Sequence, residues 1–393
     1  MGIGSLLQKI EEVLADVDIA AAEAYERALP RLIDMVNETM EQREDLSDLI
    51  GSNSREVMYT NHANHGSFIA AQLKVKSART LRDIAIWAYR SYISRGFSPS
   101  YFPAVLTAWK DAVGRYLGDD TSKAAQVQAV YQVLLENHHE LLIESQASTA
   151  PVRVEESLLP YFRNYLRALI EPDSQAAIQV SRAFIQTVRD IPVWWEQVIC
   201  PTMYEIGRLW AEGEITVGQE HIATAITQRV MALFYPLILE LPREKGAIVV
   251  TASPGELHEV GARMLADLLE MNGWDVYYTG ANTPRDSILS LLEVQRARFL
   301  CISTTMPSNL GHVAGVVQDV HAMNHGSSVQ VLVGGQAYRS DHGAWRAIGA
   351  DMYFASAGQA IYYLDAEVNG NETRSGIPEI SGGPVRPVRP RDE

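Results

Sequence analysis

Cysteine, clustered positive charge and long uncharged apolar runs are all scarce in this chain, and each shortage excludes a class of protein. Only two cysteines occur in 393 residues, Cys200 and Cys301, far apart and inside apolar segments. They read as buried free thiols, so no disulfide framework is expected and a reducing, cytoplasmic setting fits. Lys and Arg number 33 against 48 Asp and Glu, giving a net charge of −15. That balance argues against a nucleic-acid partner, which needs clustered cations. No uncharged apolar run approaches the roughly 18 residues of a membrane helix, so no membrane partner is expected. The opening MGIGSLLQKIEEVLADVDIAAAE mixes charge with apolar residues and does not read as a signal peptide. There is no internal repeat. What remains is the composition of an ordinary globular protein, 47% hydrophobic and 21% charged, over a length that suits two or three domains.

The hydrophobic pattern divides the chain into three territories. From Leu6 to Glu144 apolar residues recur at three- and four-residue spacing with almost no β-branched runs, which predicts an all-α domain over residues 1–146. Ser145–Arg153 is small and polar with Pro151, and reads as a linker. Residues 154–241 carry four helical patterns broken near Pro172, Pro192 and Gly213–Thr216, the size of a four-helix bundle. After Pro242 short apolar strands alternate with helices: Ala247–Thr251, Trp274–Tyr278, Phe299–Ser303, Val329–Val333 and Asp351–Phe354. That alternation predicts a doubly wound, Rossmann-like α/β domain over 246–368. The last residues, 369–393, have no apolar face to bury and are expected to be disordered.

In a doubly wound sheet, ligands sit beyond the carboxyl ends of the strands. The unusual residues of the last domain all fall there. Ser253-Pro-Gly-Glu256-Leu257-His258-Glu259-Val-Gly261 follows the first strand, Ser303-Thr-Thr305 the third, and Gly334-Gly335 the fourth. No G-x-G-x-x-G follows the first strand, so this is not a dinucleotide fingerprint. The spacings are 41 residues between Gly261 and Ser303 and 28 between Thr305 and Gly334. In motif and spacing the three elements resemble the cobalamin-binding domains.

The resemblance implies that His258 is the lower ligand of cobalt, displacing the cofactor's own benzimidazole, with Glu256 bonded to the other imidazole nitrogen. A neutral imidazole is a good ligand for a transition metal, and such a carboxylate fixes its tautomer and raises its basicity. The displaced nucleotide tail would thread past Gly261, Gly334 and Gly335, with Ser303 and Thr305 offering hydroxyls. Leu257 and Glu259 complete the loop.

In the helical block, Trp210 is followed after nine residues by Glu220-His221. This signature resembles that of the CarH-like light sensors, which hold adenosylcobalamin under a four-helix cap. The resemblance implies that Trp210 covers the adenosyl group while Glu220 and His221 hydrogen-bond it. One position departs: those sensors carry a histidine directly after the tryptophan, and this chain has Ala211. A bis-histidine product after photolysis is therefore not expected to follow their pattern.

The order of domains resembles the photocobilins, in which a globin-like helical domain binding biliverdin precedes the cobalamin module. Leu81–Tyr116 is rich in Trp, Tyr and Arg. A bilin needs a flat apolar slot, cations for its propionates and polar partners for its pyrroles, which His62, His65, Trp87, Arg90, Arg95 and Tyr101 could supply; it would be held without a thioether because no cysteine precedes Cys200. A haem on His62, His65, His138 or His139, or a plain helical bundle, are the other readings of that domain. The expectation is thus a photocobilin-type light sensor rather than an enzyme, forming light-dependent homo-oligomers or addressing a downstream signalling protein. The alternatives are a corrinoid carrier for a methyltransferase, or a cobalamin-responsive regulator without light response.

Overall fold

The computed structural model describes residues 3–118, 120–147, 149–323 and 329–368. The expected disordered tail, 369–393, lies outside the described residues.

The first block is helical: α1 (Ile3–Asp16), α2 (Ile19–Glu41), α3 (Leu46–Ile50), α4 (Arg55–Val75), α5 (Ala78–Ile93), α6 (Tyr101–Tyr116), α7 (Thr121–Glu136) and α8 (His138–Ser145). Asp18, Ser54, Ser77 and Asp120 cap four of these, each side chain accepting a backbone N–H three residues on. Such caps satisfy donors that the first turn leaves orphaned. One apolar core runs through the block, with Tyr25, Trp109 and Tyr131 fully buried. Inside it the Tyr25 and Tyr131 hydroxyls pair at 2.7 Å, which removes the cost of burying them alone.

The second block comprises α9 (Leu159–Ile170), α10 (Ser174–Phe184), α11 (Ile191–Trp194), a π turn (Trp195–Ile199), α12 (Cys200–Ala211) and α13 (Val217–Leu239). Helix α13 is long and apolar enough to cross a membrane by length and composition, although it carries Glu220 and Arg229. Here it is the central helix of the block, burying Ala223, Ile226, Val230, Met231, Phe234 and Ile238.

The third block alternates β1 (Ala247–Ala252), α14 (Val260–Met271), β2 (Asp275–Tyr278), α15 (Arg285–Gln295), β3 (Phe299–Ser303), α16 (Leu310–Ala322), β4 (Gln330–Gly334), α17 (Ala344–Ala347), β5 (Met352–Phe354) and α18 (Ala357–Val368). The strands form one parallel sheet in the order β2-β1-β3-β4-β5. One face packs on α15–α17 and the other on α14 and α18. The chain is therefore a helical N-terminal region followed by a Rossmann-like α/β unit. The order reverses between β1 and β3, so the crevice for a ligand opens beyond the carboxyl ends of those two strands.

The second block is joined to the sheet along α14, whose Val260, Met264 and Leu268 enter the helical core. The π turn carries the polar part of this joint. Its one-residue excess re-aims side chains within a helix, and here Trp195 Nε1 donates to Asp267 Oδ2 at 3.1 Å in full burial. Its neighbour Glu196 accepts the backbone N–H of Gly358, at the start of α18, at 3.0 Å.

Burial raises the Asp267 carboxyl to about 7, with Arg263 and the Trp195 donor opposing. Since the folded value exceeds the unfolded one, stability from this group is complete below about pH 4 and is lost as pH rises through about 7. Asp267→Asn keeps an acceptor for Trp195 and removes the titration. We expect the variant to match the parent at pH 4 and to exceed it at pH 8 by about 1–3 kcal/mol. Thermal midpoints of both proteins from pH 4 to 8 check this; parallel curves would contradict it.

Candidate cobalamin site

The loop after β1 turns at Gly255, which takes φ +82 and whose backbone N–H donates to Asn282 Oδ1 at 3.0 Å. The turn drops Glu256 into the protein, leaving it 1% exposed. Its carboxylate has five donors. Oε1 accepts from the backbone N–H of His258 at 3.1 Å and from His258 Nδ1. Oε2 accepts from Thr305 N at 3.0 Å, Met306 N at 2.8 Å and Asn309 Nδ2 at 3.1 Å. Burial alone would push the Glu256 carboxyl up, but the His258 and Met306 donors outweigh it and hold it below the usual carboxylate value.

An ionised Glu256 requires the proton of His258 to sit on Nδ1. The imidazole side chain is 53% exposed, and its Nε2 makes no hydrogen bond among the described residues. Neutral His258 thus presents a lone pair in a fixed orientation, as a metal ligand must. The hydrogen bond to Glu256 raises the imidazole's pKa against the opposing effect of burial, and the carboxylates of Glu256 and of Glu220, from the helical block, add to the rise. Glu220 on α13 therefore acts electrostatically on the loop that carries His258.

The other loop residues gather around this pair. Ser303 and Gly334 are partners across β3 and β4. A Cβ at Gly335 would lie 2.3 Å from the Thr304 carbonyl oxygen, and the residue takes φ +106. Gly335 is thus required by backbone crossing at this edge, a reason distinct from the expected approach of a nucleotide tail. Gly261 brings α14 against β3, its Cβ position lying 3.4 Å from Ser303 Oγ. Leu257 stands 75% exposed beside His258. Glu259 turns away from it: Oε1 accepts from Gln228 of α13 at 2.7 Å, and Oε2 from Ala281 N at 3.1 Å and Tyr278 at 3.2 Å. Asn309 is not among the residues expected from sequence, though an Asn directly after Pro307-Ser308 is a turn signal. Gln228 gives no signal, being one polar position on a long helix.

These residues fit a cobalamin. Cobalt needs an imidazole nitrogen free of protein partners, and Nε2 is one. A threaded tail needs polar groups at the strand ends, and Ser253 Oγ is buried there without a partner.

The upper-side residues are less gathered. Glu220 Oε2 pairs with His221 Nδ1 at 2.6 Å and its Oε1 accepts from Thr224 at 3.0 Å. Trp210 meets the first block instead: Trp87 at 5.8 Å between ring centroids and Arg95 at 3.9 Å over its ring.

Residues 246–363 match the B12 binding domain family, and residues 161–235 match a second B12 binding domain model. The matched parts are cobalamin-binding domains. Among relatives, dimethylamine corrinoid protein 3 of Methanosarcina acetivorans is 26% identical over 168 residues, 42% of this chain and 78% of that protein. The methanol–corrinoid protein of Methanosarcina barkeri is 25% identical over 204 residues, 52% of this chain and 78% of that protein. The structure of the monomethylamine corrinoid protein of Methanosarcina barkeri superposes with a TM-score of 0.47 at 16% identity, covering 53% of this chain and 99% of that one.

These relatives overturn the expected membership among CarH-like photoreceptors and photocobilins, and with it the light-sensing function. They are corrinoid proteins named for methylamines and methanol. The light-dependent homo-oligomer and the downstream signalling protein fall on the same finding.

The bilin site is corrected by geometry. The cavity lined by His62, His65, Tyr89, Tyr92, Tyr101 and Phe102 holds about 60 Å³, against roughly 300–1,000 Å³ for a ligand of tetrapyrrole size. Its aromatics fill it themselves, Tyr89 stacking on Phe102 at 3.6 Å. His62 spends both nitrogens, on Asn37 at 2.6 Å and Tyr101 at 2.9 Å, and burial lowers its pKa to about 3. His65 packs on Trp109 and Tyr131, lowered by burial to about 4. His62 thus has no nitrogen left for a haem iron, and His65 Nε2, buried without a hydrogen-bond partner, has no space of haem size beside it. Arg90 donates to the carbonyls of Ser145 and Ala147, both at 3.0 Å, so it is not available to a propionate. Trp87 and Arg95 serve Trp210.

Removing the Glu256 carboxylate leaves four backbone or loop donors and an imidazole without their acceptor. Glu256→Ala is expected to destabilise the cofactor-free protein by about 3–5 kcal/mol. Urea denaturation of the full chain measures this; a midpoint equal to the parent's would mean that the network contributes nothing.

Proposed function

We propose that this chain is a corrinoid carrier protein, which takes a methyl group from one methyltransferase and offers it to another without itself catalysing either transfer. The observation that carries the reading is the buried Glu256 holding His258 with Nε2 free, at the switch point of a sheet whose family binds B12. Relatives named for dimethylamine and methanol support methylated amines or alcohols as the class of methyl donor.

In this reading residues 1–146 are a helical domain of globin-like outline, 154–241 a four-helix cap, and 246–368 the cobalamin-binding domain. Cobalamin supplies a cobalt centre that accepts and releases a methyl group. His258 would supply its Nε2 to the cobalt, and Glu256 keeps the Nδ1 proton in place so that the lone pair stays on Nε2. Ser303, Thr305, Gly261, Gly334 and Gly335 would hold the nucleotide tail, with Leu257 beside them, and Glu259 ties the loop to α13 through Gln228. Trp210, Glu220 and His221 would face the bound cofactor from the helical block, where the indole would exclude water and the carboxylate would accept polar hydrogens of an incoming group. A partner methyltransferase must reach that side.

Protein isolated from its own cells in darkness tests the reading. It should carry a base-off corrinoid whose reduced, cobalt(II) form shows the splitting of one histidine nitrogen in electron paramagnetic resonance. His258→Ala should abolish that splitting and weaken cobalamin binding by at least about tenfold. Extraction should yield a methyl or unalkylated corrinoid. Recovery of adenosylcobalamin alone, the form expected from sequence, would overturn the carrier reading.

A further inference from the structure

Two helices of the N-terminal block reach the two sides of the cobalamin site. Helix α4 docks on the sheet unit: Val75, at its end, belongs to the sheet's own apolar core with Leu310, Val313 and Val317. Ala71 lies 3.9 Å from the Cβ position of Gly311, two residues after the Asn309 that holds Glu256. Helix α5 docks on the end of α12. Arg95, just beyond it, lays its guanidinium 3.9 Å over the Trp210 ring and donates to the Trp210 carbonyl. Trp87 packs on the same indole, and Ser94 Oγ donates to the Ala211 carbonyl at 3.1 Å. The next turn of chain is tied as well, through Thr149 to Glu212. The Trp210 Nε1–H is buried without an acceptor in the protein.

We infer that Arg95 is a positioning residue for the corrin site: from the N-terminal domain it fixes Trp210, and so sets access to the upper side of the cofactor. The inference rests on the carrier reading, in which Trp210 lies on that side. Its physical basis is that one helical block contacts both the stretch that carries Asn309 and the end of α12 that carries Trp210. The position of the indole relative to His258 is then set by α4 and α5 as well as by the joint at α14. A guanidinium suits the task because its planar face stacks on the indole while its edge donors reach carbonyls, which an ammonium cannot do together. Arg95 keeps one donor on Ser91 O, so its own rotamer is held. A partner enzyme that needs Trp210 displaced must first break this stack.

Cyanide replacing water on the full chain loaded with aquocobalamin tests the inference, since that ligand enters from the upper side and the exchange is followed in the visible spectrum. Arg95→Ala should raise the exchange rate about tenfold, and Arg95→Lys by less, in line with the loss of one partly buried cation–π stack. Trp210→Phe should raise it comparably. The double variant should be no faster than the faster single one, because both remove the same barrier. Arg27→Ala, on the far surface of α2, should exchange like the parent. Trp87→Leu, which loosens the same indole without touching a charge, should act in the direction of Arg95→Ala. Parent-like exchange in Arg95→Ala with normal cobalamin binding would overturn this inference alone. So would independent, multiplying effects of the two singles, or no effect of Trp210→Phe. Failure of the parent to bind cobalamin would overturn the carrier reading and this inference together.

Discussion

A single buried carboxylate organises the site. Glu256 sits in a low-dielectric position where an isolated charge would be untenable, and it persists because five donors from three stretches of chain converge on it. Two come from its own loop, two from the backbone after β3, and one from Asn309 ahead of α16. A doubly wound sheet supplies such donors naturally, because at the switch point the loops after β1 and β3 leave in opposite directions and expose their first N–H groups to one another. Once those donors are satisfied by an anion, the imidazole beside it has one remaining tautomer. The chemistry of His258 is therefore decided by backbone geometry several residues away, and a neutral Gln at 256 could not take all five donors.

The same logic explains how the helical block is held. It is fixed along α14 by Val260, Met264 and Leu268 and by the π turn, whose Trp195 and Glu196 reach Asp267 and the start of α18. Toward the carboxyl ends of the strands the joint is polar, with Gln228 donating to Glu259 and Arg339 lying over the Tyr204 ring. Glu259 directly follows His258, so a shift of α13 pulls on the ligand loop itself.

The sheet unit is readable from sequence because each of its strands is a short apolar run bounded by turn residues, and because a ligand histidine must stand at a strand end to be useful. The motif residues from Glu256 to Gly335 come with it, since their spacing is the spacing of the strands. Asn309 escapes because its partner is a carboxylate 53 residues earlier, and no local pattern marks such a bond. The light-sensor expectation fails for a related reason. The lower-side motif is common to cobalamin-binding domains at large, so the choice among functions hangs on Trp210, Glu220 and His221 and on the order of domains. Trp87, Arg90, Arg95 and Tyr101 then look like a pigment site, because aromatics and cations are what a pigment needs. They are also what a helical domain needs to dock on an indole, cap a linker's carbonyls and fill its own core. Composition cannot separate these uses; only the neighbour across the interface can.

Ala211 shows the point from the other direction. Read along the chain, it is a missing histidine, a gap in a pattern of upper-side ligands. In the fold it is 5% exposed, and its carbonyl accepts Ser94 Oγ where the end of α5 meets α12. A side chain as large as imidazole would have to displace its neighbours at that junction, and the Arg95 stack on the preceding residue would move with them. The small residue is thus consistent with a docked N-terminal domain, and its reason lies outside the cofactor altogether. The surroundings of position 211 are thus set by the domain that docks on α12 and holds Trp210.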